Sequence, residues 1–256
     1  MHPKMEVNMA EGPDAIQKLE AGGQRGLITH AVLVGLTPLI PVPVLDDLAK
    51  SYFRKRLVRS LAAANGRVLS DEELDALAVE REGGCLRGCL VTVVVYPLKS
   101  IFRKVFYFLE WKRAADLTSR TYHFGYLLNY AMRRRSDGKS LLDVQSARDV
   151  SEAIQAVCRE SPIKPLEGAI GGTFRQSKRV LRAAATLLAG SLRRLAGRAR
   201  PELVADAIEQ VEPEEEREIE PVVTRLQRSI AAVPEDHFRA LRARLDARLG
   251  LPPDKA

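Results

Sequence analysis

Asp46 and Asp47 stand side by side at the end of an uncharged stretch, and adjacent carboxylates can serve general acid–base chemistry or hold a cation. No His or Glu clusters with them in sequence, so a catalytic pocket would need a distant histidine such as His123. Their setting suggests another role. They follow Pro41-Val42-Pro43, which cannot continue a helix, and so fall in the first turn of the next one. There a carboxylate accepts from free backbone N–H groups and interacts favourably with the helix dipole. Cys85 and Cys89 lie four apart and would share a helix face, but no second cysteine pair or histidine stands at ligand spacing, so zinc is not expected. They read as small buried hydrophobes or, beside an apolar segment, as palmitoylation sites. His2, His30, His123 and His237 are scattered. Gly168-Ala169-Ile170-Gly171-Gly172-Thr173 has glycines like those of a phosphate loop without the Gly-Lys-Ser/Thr ending that supplies charge and a magnesium ligand. No catalytic residue, metal ligand or cofactor is therefore expected, and the chain reads as a non-enzyme.

Charge is the stronger signal. The 256 residues carry a net charge of +7 and a pI near 9.4, which points to an anionic partner: lipid, nucleic acid or an acidic protein. Between Gly168 and Arg200 there is no Asp or Glu, while Arg175, Lys178, Arg179, Arg182, Arg193 and Arg194 recur opposite Phe174, Leu181, Ala185, Leu188 and Leu192. That is a basic amphipathic helix, expected to run from Gly171 to Gly197, suited to an anionic surface. Glu209, Glu212, Glu214, Glu215, Glu216, Glu218 and Glu220 follow closely and offer an internal partner that would mask it. Most of the aromatic residues fall between Tyr96 and Tyr130, where Lys99, Arg103, Lys104, Lys112 and Arg113 interleave with Phe102, Phe106, Tyr107, Phe108 and Trp111. Rings flanked by long cations suit a membrane–water interface, with Lys99, Arg103, Lys104 and Trp111 as contacts; they also suit stacking on single-stranded bases, or a plain core.

The elements that must position these groups are helical. Gly26–Leu45 has no Lys, Arg, Asp or Glu, and about 20 apolar residues can span a bilayer. Its prolines instead make a hairpin: a helix to about Leu36, an elbow at Pro41 and Pro43, and a returning helix Val44–Asn65 stopped by Gly66. Such a hairpin either enters a membrane from one side or packs in a core. Ser70 with Glu73 is a capping box opening a helix to about Glu82. Gly83–Leu98 reads as a buried helix ending before Pro97, despite its β composition. Lys99–Arg135 reads as two helices jointed near Lys112–Asp116; Ser140 and Asp143 cap another that ends near Glu160. Further helices start at Pro201 and Pro234, with an acidic stretch between them. A short helix from Pro13 to Gly22-Gly23 precedes all of these.

The fold class is thus all-α, an irregular bundle of helical hairpins with a basic amphipathic helix in its C-terminal part. It divides into a leader and short helix (1–25), a helical region with the Pro-rich hairpin (26–160) and a C-terminal region (161–256). Mean hydropathy of −0.15 is low for a polytopic membrane protein. Three cysteines suit a reducing cytosol, and the acidic, discontinuous N-terminus does not read as a signal peptide.

The stretch Leu36–Glu73 resembles the YcjF-like domain of unknown function, a bacterial helical family found fused to or encoded beside GTPases. The matching elements are Pro41-Val42-Pro43, Asp46-Asp47, the helix through Arg54–Leu61, Asn65-Gly66 and Leu69-Ser70, with Tyr122-His123-Phe124-Gly125-Tyr126 similar to a second family feature. The resemblance covers about residues 26–130. It implies membrane association and coupling to a GTPase, and it transfers no catalytic residue. The resulting expectation is a non-enzymatic, membrane-associated protein, peripheral or re-entrant at the inner face of a bacterial cytoplasmic membrane. The alternative is a soluble helical module whose basic face takes nucleic acid or an acidic protein.

Overall fold

A computed structural model describes residues 13–40, 45–79, 103–134, 144–161, 164–196 and 212–252. The described residues are almost entirely helical, and the protein is all-α. In chain order the helices are α1 (Pro13–Leu36), α2 (Leu45–Ala64), α3 (Asp71–Ala78), α4 (Arg103–Arg134), α5 (Val144–Glu160), α6 (Lys164–Gln176), α7 (Lys178–Ala196), α8 (Glu212–Ala231) and α9 (Glu235–Leu249).

The central pair is α1 and α4, with α2 and α8 against other sides of α1 and α5 and α6 against α4. Ala31, Val32, Leu33, Val34 and Leu36 are buried in succession. A stretch that is apolar all round must be surrounded, and the second half of α1 is. Its approach to α4 is close at Gly35, where a Cβ would stand 1.8 Å from Thr118 Oγ1 and 2.9 Å from the Ala114 carbonyl oxygen. Only a residue without a side chain fits there.

The proline-broken run does form a hairpin. α1 ends at Leu36, a 3₁₀ turn follows over Thr37–Leu39, and α2 returns from Leu45. Pro41 and Pro43 lie outside the described residues, while Asp46 and Asp47 are the second and third residues of α2. The apolar residues from Leu27 to Leu36 belong to the protein's own core. Among the described residues no helix is long and apolar enough to cross a membrane.

Local signals held where the chemistry is local. Gly66 has a positive φ of 66° and closes α2. Ser70 accepts from the Glu73 N–H at 3.2 Å, and Glu73 Oε2 accepts from the Ser70 N–H at 2.7 Å, the capping box that opens α3. That helix ends at Ala78 rather than near Glu82, because Val79 is extended. Other boundaries differ for tertiary reasons. α1 runs unbroken through Gly22-Gly23; a glycine inside a helix costs about 1 kcal/mol, less than the burial of the apolar turns that follow returns. α4 has no joint at Lys112–Asp116, which contains neither Gly nor Pro and packs Ala114 at the core. The single helix expected over Gly171–Gly197 is two, α6 from Lys164 and α7 to Ala196, meeting at Ser177. From Glu212 on, the acidic stretch is itself helical, forming the first half of α8, a helix that continues through Pro221; Glu209 lies outside the described residues. The expected helix from Pro201, the segment Gly83–Leu98 and the cap at Ser140 and Asp143 lie outside the described residues. One apolar cluster runs from Leu27 to Leu245, continuing across the break after α5.

Candidate functional site

The basic face is built on α6 and α7. Phe174, Leu181, Ala184, Ala185, Leu188 and Ala189 point into the core, which leaves Arg175, Lys178, Arg179 and Arg182 exposed on the other side. Helical spacing continues that side through Ala183, Thr186 and Leu187, the last 41% exposed. Arg193 and Arg194 extend the same helix. Ser177 fixes the angle between the two helices: its N–H donates to the Thr173 carbonyl at 3.0 Å, and its hydroxyl accepts from Arg225 Nη1 on α8 at 3.2 Å.

Two residues of the acidic stretch pair elsewhere. Glu216 pairs with Arg56 of α2 at 3.7 Å, and Glu220 pairs with Arg25 of α1. Although α8 packs on both α6 and α7, these two carboxylates tie it to the N-terminal hairpin.

The interleaved aromatic segment resolves differently. Lys99 lies outside the described residues, and Arg103 and Lys104 open α4. Trp111 is only 7% exposed and belongs to the core, so it is not an interfacial anchor in this fold. Further along α4, Phe124 is also buried, with the Arg54 guanidinium 4.8 Å from its ring centroid, a cation–π contact.

His123, the distant histidine that a catalytic pocket with Asp46 and Asp47 would need, lies within α4. His123 has both ring nitrogens engaged. Its Nδ1 lies 2.8 Å from the Ser119 carbonyl oxygen and its Nε2 lies 3.1 Å from Nε2 of His237. A carbonyl can only accept, so Nδ1 carries the proton; a neutral ring has one N–H, so Nε2 is bare and His237 Nε2–H donates to it. Burial lowers the His123 pKa to about 4, with a further push from His237 and a partial opposing effect of the backbone bond. His237 is lowered in the same sense by burial and by Arg244. His30 makes a similar backbone contact, Nδ1 to the Gly26 carbonyl oxygen at 2.7 Å, and burial lowers its pKa as well. Among the described residues no three His, Cys, Asp or Glu gather as metal ligands.

An open groove of 510 Å³ lies between α3 and α5, lined by Glu72, Asp75, Arg148, Glu152 and Gln155. Its floor is already bonded within the protein: Gln155 Nε2 donates to the Val79 carbonyl at 2.9 Å and Ser151 Oγ to that of Leu77 at 3.3 Å. Mixed charges and committed polar groups give it no evident chemistry.

Sequence reading missed the histidine pair because its members are 114 positions apart. The available signal was the run His123, Tyr126, Tyr130 and Arg134, polar groups at three- and four-residue spacing on one side of a helix otherwise facing the core. These features define an all-α bundle. No protein-family model matches the chain, and neither a curated protein nor a solved structure does.

Proposed function

We propose that this protein is a non-enzymatic, peripheral membrane-binding protein that lays the exposed basic face of α6 and α7 on an anionic lipid surface. The observation that carries the reading is the cluster Arg175, Lys178, Arg179 and Arg182, exposed together on one side of α6 and α7. Each such cation near an anionic leaflet contributes about 1 kcal/mol. Leu187 on the same side adds an apolar contact at headgroup depth. The described part of this face carries no aromatic ring on which a base could stack, which favours lipid over single-stranded nucleic acid. Since the apolar residues of α1 belong to the core, the mode is electrostatic docking and not insertion. The proposed location is the inner face of a bacterial cytoplasmic membrane, and the likeness to the YcjF-like domain makes a GTPase the first protein partner to test.

Flotation with vesicles decides it. Binding to phosphatidylglycerol-containing vesicles, absent with phosphatidylcholine alone and lost as salt is raised, is expected. A chain that stays at the bottom of the gradient with both lipids, or that binds an RNA oligomer but neither vesicle, overturns the proposal.

A further inference from the structure

The C-terminal helix α9 is attached mainly to α4 and α5. Phe238, Leu241 and Leu245, with the partly buried Leu249, supply its apolar contact, and a row of polar contacts accompanies them. Along α4 the contacts are His237 with His123, Arg242 Nη1 with the Tyr126 hydroxyl at 2.8 Å, and Asp246 with the Tyr130 hydroxyl at 2.7 Å. On α5, Arg244 donates to Ser161 Oγ just past the helix end at 2.8 Å, and Arg248 pairs with Glu160. A helix held by one strip of apolar residues and a row of exchangeable polar contacts belongs to the part of a fold that opens first.

We propose that the His123–His237 contact is a proton-operated latch, which holds α9 against α4 while His123 is neutral and releases it when His123 takes a proton. The geometry admits a single hydrogen between the two Nε2 atoms. Nδ1 of His123 is fixed as a donor by the Ser119 carbonyl, so the only place for a second proton on that ring is Nε2. A second proton there puts a full positive charge on a ring that is 2% exposed and faces another imidazole across 3.1 Å, so even where His237 moves its own proton to Nδ1 and accepts, the docked arrangement is disfavoured by the buried charge. Tyr126, Tyr130, Arg133 and Arg134 of α4, Glu235, Arg242, Arg244, Asp246 and Arg248 of α9, and Glu160 of α5 are the titratable and charged groups around this seam, with Asp246 held by Tyr130 and Arg134. Arg242 is taken up by Tyr126 and Glu235, and Glu160 by Arg248. Among the described residues the charges acting on the two rings are His237 on His123 and Arg244 on His237, both against a cation, and no carboxylate offsets them. Opening exposes both rings to water and restores an ordinary histidine affinity for protons. Acid therefore favours the released helix. Linkage between an open value of about 6.5 and the docked value of about 4 raises the open population about 30-fold from pH 7.5 to pH 5.

Peptide-resolved hydrogen exchange on the full chain, corrected for intrinsic rates, tests this. Peptides covering Glu235–Leu249 are expected to open about 30-fold more at pH 5 than at pH 7.5 and, at both pH values, to exchange faster than peptides of α1. His123→Leu, which fills the same buried place without a proton site, is expected to flatten that dependence. The two-dimensional nitrogen-correlated NMR spectrum of the unaltered protein gives a readout that needs no variant: His123 should be the Nδ1–H tautomer and titrate well below 6.5. An α9 whose protection does not change with pH, an α9 that opens only together with α1, or a His123 that titrates near 6.5 while α9 stays protected overturns the latch.

Discussion

The hydroxyl of Tyr130 donates to Oδ2 of Asp246 at 2.7 Å, joining α4 to α9 through a carboxylate that is 2% exposed. Arg134 approaches the other oxygen at 3.8 Å and also donates to the Pro252 carbonyl. Backbone N–H groups of Gly250 and Leu251 reach back to the Asp246 carbonyl, so this residue also closes the end of α9. A buried carboxylate stripped of a neutral donor loses about 1.5–3 kcal/mol. Tyr130→Phe is therefore expected to lower the free energy of unfolding in urea by about 2 kcal/mol, and to raise exchange in α9 before α1. A change below about 0.5 kcal/mol would mean that Arg134 alone satisfies the carboxylate.

Gly35 offers a sharper steric test. A methyl group there meets Thr118 Oγ1 and the Ala114 carbonyl oxygen. Overpacking of this kind costs about 1–3 kcal/mol, so Gly35→Ala should lower the free energy of unfolding measured in urea by that amount. Adding Thr118→Ala removes the nearer obstacle and leaves the carbonyl, so the double variant should recover part of the loss. Equal and additive losses from the two substitutions would show that the helices are not in contact at this point.

What could be read from the sequence was what its own neighbours determine. The box at Ser70 and Glu73, the stop at Gly66, the restart at Leu45 and the start of α9 after Pro234 each depend on a few adjacent residues. Continuity of α1 past Gly22-Gly23 and of α4 past Lys112 depends on which distant helices cover them, and neither stretch announces its neighbours. The basic face was legible as a charge pattern, but its division at Ser177 depends on a contact with Arg225 of α8. The direction of the acidic stretch was not legible either, since Glu216 and Glu220 had basic partners in α1, α2 and α7 to choose among.

Ser70→Ala removes one half of the capping box and leaves the Glu73 N–H without its acceptor. Loss of such a cap costs about 1 kcal/mol, and Gly at the same place costs only a few tenths. The expected order of stability in urea is Ser70, then Gly, then Ala. An Ala variant as stable as the parent would show that α3 is held by its packing on α2 and α5 alone.

His30 gives the bundle a second response to acid, separate from α9. Its Nδ1 is committed to the Gly26 carbonyl, its Nε2 is buried without a partner among the described residues, and burial lowers its pKa below 6.5. The folded chain then holds a neutral ring while the unfolded chain binds a proton below pH 6.5. The contribution is complete above that value and is lost as pH falls below it, at up to about 1.4 kcal/mol per pH unit for one group. Global stability in urea should fall between pH 7 and pH 5, and His30→Gln should fall less steeply whatever its absolute stability. Identical slopes would place the acid response elsewhere.

The basic face can be separated from mere net charge by comparing reversals at different places. Lys178→Glu with Arg179→Glu changes the charge by four in the middle of the proposed contact. Arg239→Glu with Arg248→Glu changes it equally on α9, where the parent residues pair with Asp236 and Glu160. If the whole protein's charge drives binding, the two variants should lose affinity for anionic vesicles alike. If α6 and α7 lie on the lipid, the first pair should lose about 4 kcal/mol at about 1 kcal/mol per unit of charge, a drop of roughly a thousandfold, and the second far less because α9 packs on α4 and α5 instead and salt screens charges away from the contact. Co-sedimentation with vesicles at fixed salt measures both. Equal losses would move the binding site off this face.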